Sequence, residues 1–279
     1  AKKALFLQMA RQPGAKTPVA IVNRDDHYGE ILVRDLDGVL PVVTFGFGVD
    51  CDFRAGRVRQ TRAGTEFQLE AAGKSYLVRM PLFGRFNIYN ALGVLAAASS
   101  IRIPLRDAVA ALADVPQVPG RLERVEGGDG LRVFVDYAHT PDALKNACAT
   151  LKELEPRRLV TVFGCGGDRD RTKRPMMGRA ASGGSDFCII TSDNPRSEDP
   201  QAIIADASKG MLNTHFETIP DRSKAIARAV EICGDGDVIL IAGKGHEDYQ
   251  EFSFGTVPFD DRREARKALV ARNSARNDS

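Results

Sequence analysis

"RLVTVFGCGGDRDRTKRP" (Arg158–Pro175) passes from an apolar run, through a Gly-rich charged segment, into a helical pattern. An apolar run this short fits a buried strand or a piece of buried helix equally well. Its neighbours decide between them. "RVFVDYA" (Arg132–Ala138), "DFCIIT" (Asp186–Thr191) and "DVILIA" (Asp237–Ala242) repeat the pattern of an apolar run ending in a polar cluster. Between these runs lie amphipathic stretches. One is capped by Thr140, has Pro141 at its first position, and puts Leu144, Ala147, Cys148 and Leu151 on one face. Another starts at Asp199 and Pro200. A third follows Asp221 and aligns Ile226, Ala229, Val230 and Cys233, and "DDRREARKALVARN" (Asp260–Asn273) closes as a helix. Apolar strands alternating with such helices predict an α/β fold, a largely parallel sheet covered on both faces.

The polar clusters share one placement. "DYAHT" (Asp136–Thr140), "GCGGDRD" (Gly164–Asp170), "SDNPR" (Ser192–Arg196) and "GKGHE" (Gly243–Glu247) each follow the carboxyl end of a predicted strand. In open parallel sheets that edge holds ligands. Any one cluster fits a turn; four on one rim point to a site.

Towards the N-terminus the pattern is less regular. Residues 1–80 give a short helix, a strand "PVAIVN" and several alternating runs. "TEFQLEAAGKSYLVRM" (Thr65–Met80) alternates as a hairpin turning at Ala72, Gly73 and Lys74. "NIYNALGVLAAASSI" (Asn87–Ile101) is an Ala-rich helix. "LADVPQVPGRLERV" (Leu112–Val125) carries two prolines and a glycine, and divides the chain into domains 1–119 and 120–279. "AAGKS" (Ala71–Ser75) ends like a phosphate loop. However, Gln68 stands where the motif needs glycine, and no strand-to-helix context surrounds it. The chain opens without a methionine, inside an uncapped helical pattern, and reads as the rear part of a longer protein.

Composition narrows the function classes. The chain has 279 residues, 43% hydrophobic and 27% charged, as in globular proteins. A net charge of +2 gives no footprint for nucleic acid or a membrane surface. No apolar run reaches bilayer-spanning length. Cys51, Cys148, Cys165, Cys188 and Cys233 are odd in number and lack CxxC spacing, which fits reduced thiols in a cytoplasm.

"GRLERV", "VDYAHTPDAL", "VFGCGGDRDRTKRPMMG", "DNPR" and "AGKGHEDYQ", in this order, closely resemble the Mur ligases, and among them the members that add meso-diaminopimelate. The resemblance runs from Ala1–Lys2 to the final helix. It implies the back of a central ATPase domain followed by a Rossmann-like C-terminal domain, acting as a cytoplasmic monomer. The family's UDP-binding domain and phosphate loop have no counterpart in this segment, which alone is expected not to ligate. The implied reaction uses ATP and Mg2+ to convert a carboxylate of UDP-N-acetylmuramoyl-dipeptide into an acyl phosphate. The amine of meso-diaminopimelate then attacks it. Such chemistry needs clustered cations and exact positioning.

The resemblance also assigns residues. Lys2 matches a lysine that is carbamylated in the family and helps hold magnesium, and carbamylation suits a hard metal by making an oxygen ligand. Phe86, Asn87 and Asn90 match the adenine contact, while Arg121, Asp136 and His139 match other nucleotide contacts. Arg169, Asp193, Asn194, Arg196, Gly243 and Glu247 match the diaminopimelate site. Physical sense supports this last set, because a guanidinium forks onto a carboxylate whereas an ammonium takes an acid and a carbonyl. Asp193 is an alternative partner for orienting Arg196. Asp168, Asp170, Arg171 and Lys173 read as ion pairs or surface charges, and Lys244 and His246 have no assigned role. The competing class is a non-catalytic amino-acid or nucleotide binding module.

Overall fold

The computed structural model describes residues 2–11, 18–61, 63–128 and 130–277. The chain divides into two compact units, Ala1–Pro116 and Gln117–Ser279.

In the first unit, helix α1 (Lys2–Arg11) and strand β1 (Ala20–Asn23) precede helix α2 (His27–Leu36), which the alternating-run reading missed. Ile31 and Val33 within it are β-branched, and Gly29 weakens the helical signal. Asp26 compensates by accepting hydrogen bonds from the Tyr28 and Gly29 amides, both at 3.0 Å. Strands β2 (Val42–Gly46), β3 (Phe53–Gln60), β4 (Thr65–Ala71) and β5 (Lys74–Met80) complete a sheet in sequence order. Its β1–β2 and β2–β3 pairs are parallel and the rest antiparallel.

The predicted hairpin is β4–β5, but its turn is only Ala72–Gly73, since Lys74 already pairs with Ala71. Both turn residues have positive φ, at 49° and 69°, as a two-residue hairpin turn with strand-matching twist requires. Helix α3 (Arg85–Ser100) lays Ile88, Leu92 and Leu95 on Phe67, Leu69 and Val78 of the sheet, all six fully buried. A short helix α4 (Leu105–Ala111) follows.

The second unit opens with β6 (Glu123–Val125), β7 (Arg132–Asp136) and α5 (Pro141–Lys152). There follow β8 (Leu159–Phe163), α6 (Lys173–Gly184), β9 (Phe187–Ile190), α7 (Pro200–Ser208), β10 (Phe216–Thr218), α8 (Arg222–Ile232) and β11 (Val238–Ala242). A hairpin of β12 (Tyr249–Phe252) and β13 (Gly255–Pro258) leads into α9 (Asp261–Asn277). The main sheet runs β10-β9-β8-β11-β7-β6, parallel except for β6.

Period-2 alternation sorts its side chains. Val133, Val135, Val160, Val162, Ile239 and Ile241 meet Ala225, Ile226, Ala229 and Val230 of α8 and Ala265 and Leu269 of α9. Thr161 has the opposite parity and faces α5, where its hydroxyl lies 3.8 Å from the Cys148 thiol. α5, α6 and α7 stack in order on that side. The predicted caps are present: Thr140 accepts from Ala143, Asp199 from Gln201 and Asp221 from Lys224.

Candidate functional site: a rim of four strand ends

Strand β11 lies between β7 and β8, although the chain builds it last. The chain leaves β8 for the α6 layer and leaves β11 for the α9 layer, which opens a crevice at their carboxyl ends. The loops there line a cavity of about 420 Å³, within the range of small-molecule sites. Tyr137 and His139 come from the loop after β7, and Cys165 and Arg169 from the loop after β8. Asp193, Asn194 and Arg196 follow β9, and Gly243 and Glu247 follow β11. All six residues matched to an amino-acid site therefore line one cavity.

Cations and acids meet within it. Asn194 donates to the Glu247 carboxylate at 3.0 Å, and its carbonyl accepts from Arg196 at 3.4 Å. The Lys244 ammonium, fully buried, donates to the Asn194 oxygen at 2.8 Å and to Glu247 at 3.1 Å, and lies 3.8 Å from Asp193. Gly243 has φ 119°, and a Cβ there would collide with the Asp193 carboxylate. Only glycine lets strand end and acid approach this closely. Arg169 is exposed and Arg196 is partly buried. Arg196 donates from Nη1 to the Gly167 carbonyl at 2.9 Å, and its Nε pairs with Glu251 at 2.8 Å. Glu251, not the Asp193 alternative, therefore orients this guanidinium. Asp193 instead packs under Gly243 and beside Lys244.

Cys165 lines the cavity without reactive character. Burial, with the Asp193 charge nearby, pushes its thiol up to about 12, so it stays protonated at neutral pH.

The nucleotide-matched residues form two groups. In the second unit, Arg121, His139 and His246 surround Tyr137. The Arg121 guanidinium lies 5.3 Å from the Tyr137 ring centre, and the two histidine rings lie at 4.6 and 5.4 Å. His139 is exposed and turns Nδ1 to the Tyr137 carbonyl at 2.8 Å. Asp136 is buried and accepts the Leu122 amide at 2.7 Å, so part of its capacity holds the backbone beside Arg121. Burial raises its pKa, against the lowering effect of that amide and of Arg121.

In the first unit, Asn87 is buried and donates to the Phe83 carbonyl at 2.8 Å, and its oxygen accepts from Asn90 at 3.2 Å. Their spacing does put them on one helical face, but there they bond to each other. Phe86 is 40% exposed. The Lys2 side chain lies outside the described residues. Among the described residues no three His, Cys, Asp or Glu side chains gather to hold a metal ion.

Sequence reasoning missed four residues that shape this rim: Tyr137, Lys244, Arg222 and Glu251. Lys244 carried a signal, since a lysine between two glycines after a wholly apolar strand has little room to reach solvent. Arg222 carried none, because nothing in "PDRSKAI" (Pro220–Ile226) separates a buried arginine from a surface one.

Of the four charges read as ion pairs or surface charges, Asp170 and Lys173 also line the cavity, while Asp168 and Arg171 bond to neighbouring residues. Asp168 accepts from the Ser197 hydroxyl at 2.6 Å, and Arg171 pairs with Glu198 at 2.8 Å. Arg174 also bonds Glu198, at 2.7 Å, and together with the Asp168 amide this holds the Glu198 carboxyl down to about 2. A depressed pKa contributes stability above the unfolded value near 4.5, and that contribution disappears as pH falls towards 2. Glu198→Gln should therefore flatten the acid limb of the stability curve between these values. Urea midpoints measured across that window check this; an unchanged limb would disprove the coupling.

Comparison with known proteins matches this architecture throughout. The family model described as "Mur ligase middle domain" matches residues 1–98, and "Mur ligase, glutamate ligase domain" matches residues 120–245. A Syntrophomonas wolfei protein named UDP-N-acetylmuramoyl-L-alanyl-D-glutamate--2,6-diaminopimelate ligase is 43% identical over 272 residues, covering 96% of this chain and 55% of the relative. A Clostridium botulinum protein of the same name is 44% identical over 245 residues, covering 87% of this chain and 50% of the relative. A solved structure bearing that enzyme name superposes with a TM-score of 0.71 at 38% identity, covering 91% of this chain and 53% of the other. The chain thus spans about half the length of the curated relatives it matches. With both family models in order along its length, the chain belongs to the Mur ligase family.

Proposed function

We propose that the protein containing this chain is an ATP-dependent ligase that adds meso-diaminopimelate to UDP-N-acetylmuramoyl-L-alanyl-D-glutamate. The observation carrying this reading is one cavity in which Arg196 and Glu247 flank Asn194, whose carbonyl accepts from Arg196 and whose side chain donates to Glu247. A diamino dicarboxylic acid carries both charges at each end. Arg196 takes the distal carboxylate, which lysine lacks. Glu247 and the Gly243 carbonyl take the distal ammonium, while Arg169 faces the reacting end.

In this reading the rim supplies position more than proton transfer. An acyl phosphate is attacked by an amine that has lost its ammonium proton to solvent, phosphate leaves as the amide forms, and alignment of the two is worth several kcal/mol, by order of magnitude. In the first unit Phe86, Asn87 and Asn90 are the residues proposed for a nucleotide base, and in the second unit Arg121, Asp136 and His139 are the residues proposed for nucleotide contact. Magnesium enters as the ion that accompanies ATP, and no described residue is assigned to it. On this reading the protein works in the cytoplasm, as a monomer whose partners are its small-molecule substrates.

A ligation assay on the full-length gene product tests this. With ATP and UDP-N-acetylmuramoyl-dipeptide, meso-diaminopimelate should be ligated at least about a hundredfold more efficiently than lysine, the equivalent of roughly 3 kcal/mol for an unpaired arginine. Equal use of the two amino acids would overturn the assignment of Arg196.

A further inference from the structure

The β12–β13 hairpin lies alongside the Asp193–Arg196 loop, bonded to it residue by residue. Gln250 donates from its side chain to the Asp193 carbonyl at 2.8 Å. The Glu251 amide donates to the Asn194 side-chain oxygen at 3.1 Å. The Arg196 amide donates to the Glu251 carbonyl at 3.0 Å, and Arg196 forms a β-bridge with Phe252. Arg196 itself has φ 51°, a left-handed conformation that a non-glycine residue adopts only where its surroundings hold it. Its Nε meets the Glu251 carboxylate at 2.8 Å, and its Nη1 meets Gly167. These bonds engage Nε and Nη1, one donor on each of the guanidinium's two forked edges, and leave Nη2 for a ligand in the cavity.

We infer that Glu251 is a positioning residue for amino-acid selection, holding the Arg196 guanidinium so that Nη2 donates to the distal carboxylate of the substrate. The hairpin is thus part of the specificity site, although Glu251 itself does not line the cavity. The role rests on the reading of that cavity as the diaminopimelate site. Glu251 is 42% exposed at its side chain, and Arg196, 20% exposed, keeps its bonds to the Gly167 and Asn194 carbonyls, so the variants should still fold. Glutamine keeps an acceptor for Nε, whereas alanine removes it.

The test uses the full-length ligase and its Glu251→Ala and Glu251→Gln variants, with KM measured separately for meso-diaminopimelate, lysine and ATP. Alanine should raise the KM for meso-diaminopimelate about five- to tenfold, the scale of a partly exposed charged hydrogen bond. The KM values for lysine and ATP should change less than twofold, and glutamine should restore most of the loss. A merely structural role would move all three constants together, and that result overturns the proposal. An unchanged or lower KM for meso-diaminopimelate in the alanine variant also overturns it, since Glu251 would then be idle or a competitor for the arginine. A wild type that ligates lysine as readily as meso-diaminopimelate overturns the reading of the cavity, and the positioning role with it.

Discussion

Arg196→Ala is expected to raise the KM for meso-diaminopimelate by roughly 2–4 kcal/mol in free-energy terms, the cost of leaving a desolvated carboxylate without its partner. That is about thirty- to a thousandfold in KM. The loss extends beyond the ligand. Arg196 also bonds the Gly167 and Asn194 carbonyls, so its removal loosens the contact between the loops after β8 and β9, which Asp168 still joins through Ser197 and Glu198. Arg196→Lys should recover little, because an ammonium cannot bond Glu251, Gly167 and a substrate carboxylate in the plane of a guanidinium. Initial-rate measurements on the full-length protein decide the matter. A near wild-type KM in either variant would remove Arg196 from the site.

The second large effect concerns stability. Arg222 and Asp261 are both fully buried and joined by two hydrogen bonds of 2.7 and 2.8 Å. Arg222 also donates to the Ala242 carbonyl at 2.9 Å and to the Ser192 carbonyl at 3.4 Å. One side chain thus ties the ends of β9 and β11 to the start of α9. Arg222→Met leaves Asp261 charged, buried and unpaired, at a cost of about 3–5 kcal/mol. Most domains have only about 5–15 kcal/mol of stability in total, so the second unit should be close to unfolding. The double variant Arg222→Met/Asp261→Leu should recover a substantial part, since an apolar pair of similar volume needs no desolvation. Urea unfolding of the chain and both variants gives the comparison. A single variant within about 1 kcal/mol of wild type would show that water reaches this pair.

How much of this could be read from the chain depended on what each feature leaves in the sequence. Strands β7, β8, β9 and β11 are buried on both faces, so they are written as unbroken apolar runs. Their helices carry caps at Thr140, Asp199 and Asp221. These local patterns predicted the parallel sheet and its functional edge. Helix α2 escaped because its residues favour a strand and only its tertiary setting and the Asp26 cap decide otherwise. The β12–β13 hairpin escaped because Ser253–Phe254 lacks the turn residues that mark a two-residue hairpin.

The six cavity residues were legible through motif resemblance, and the structure brought them together. Their supports were not legible. Lys244, Arg222 and Glu251 act through partners 50, 39 and 55 positions away, and pairings of that range follow only from the folded topology.

The late placement of β11 has a consequence for how the protein is made. β7 and β8 are synthesised first, yet they cannot pair, because the slot between them belongs to a strand roughly 80 residues downstream of Phe163. At about 5–20 residues per second, a ribosome takes roughly 4–16 s to deliver it. Throughout that interval two apolar strand edges lie open to any chain that can add a strand. Nascent copies of this protein should therefore need a chaperone until Ala242 has emerged, and truncations ending before Val238 should aggregate rather than fold.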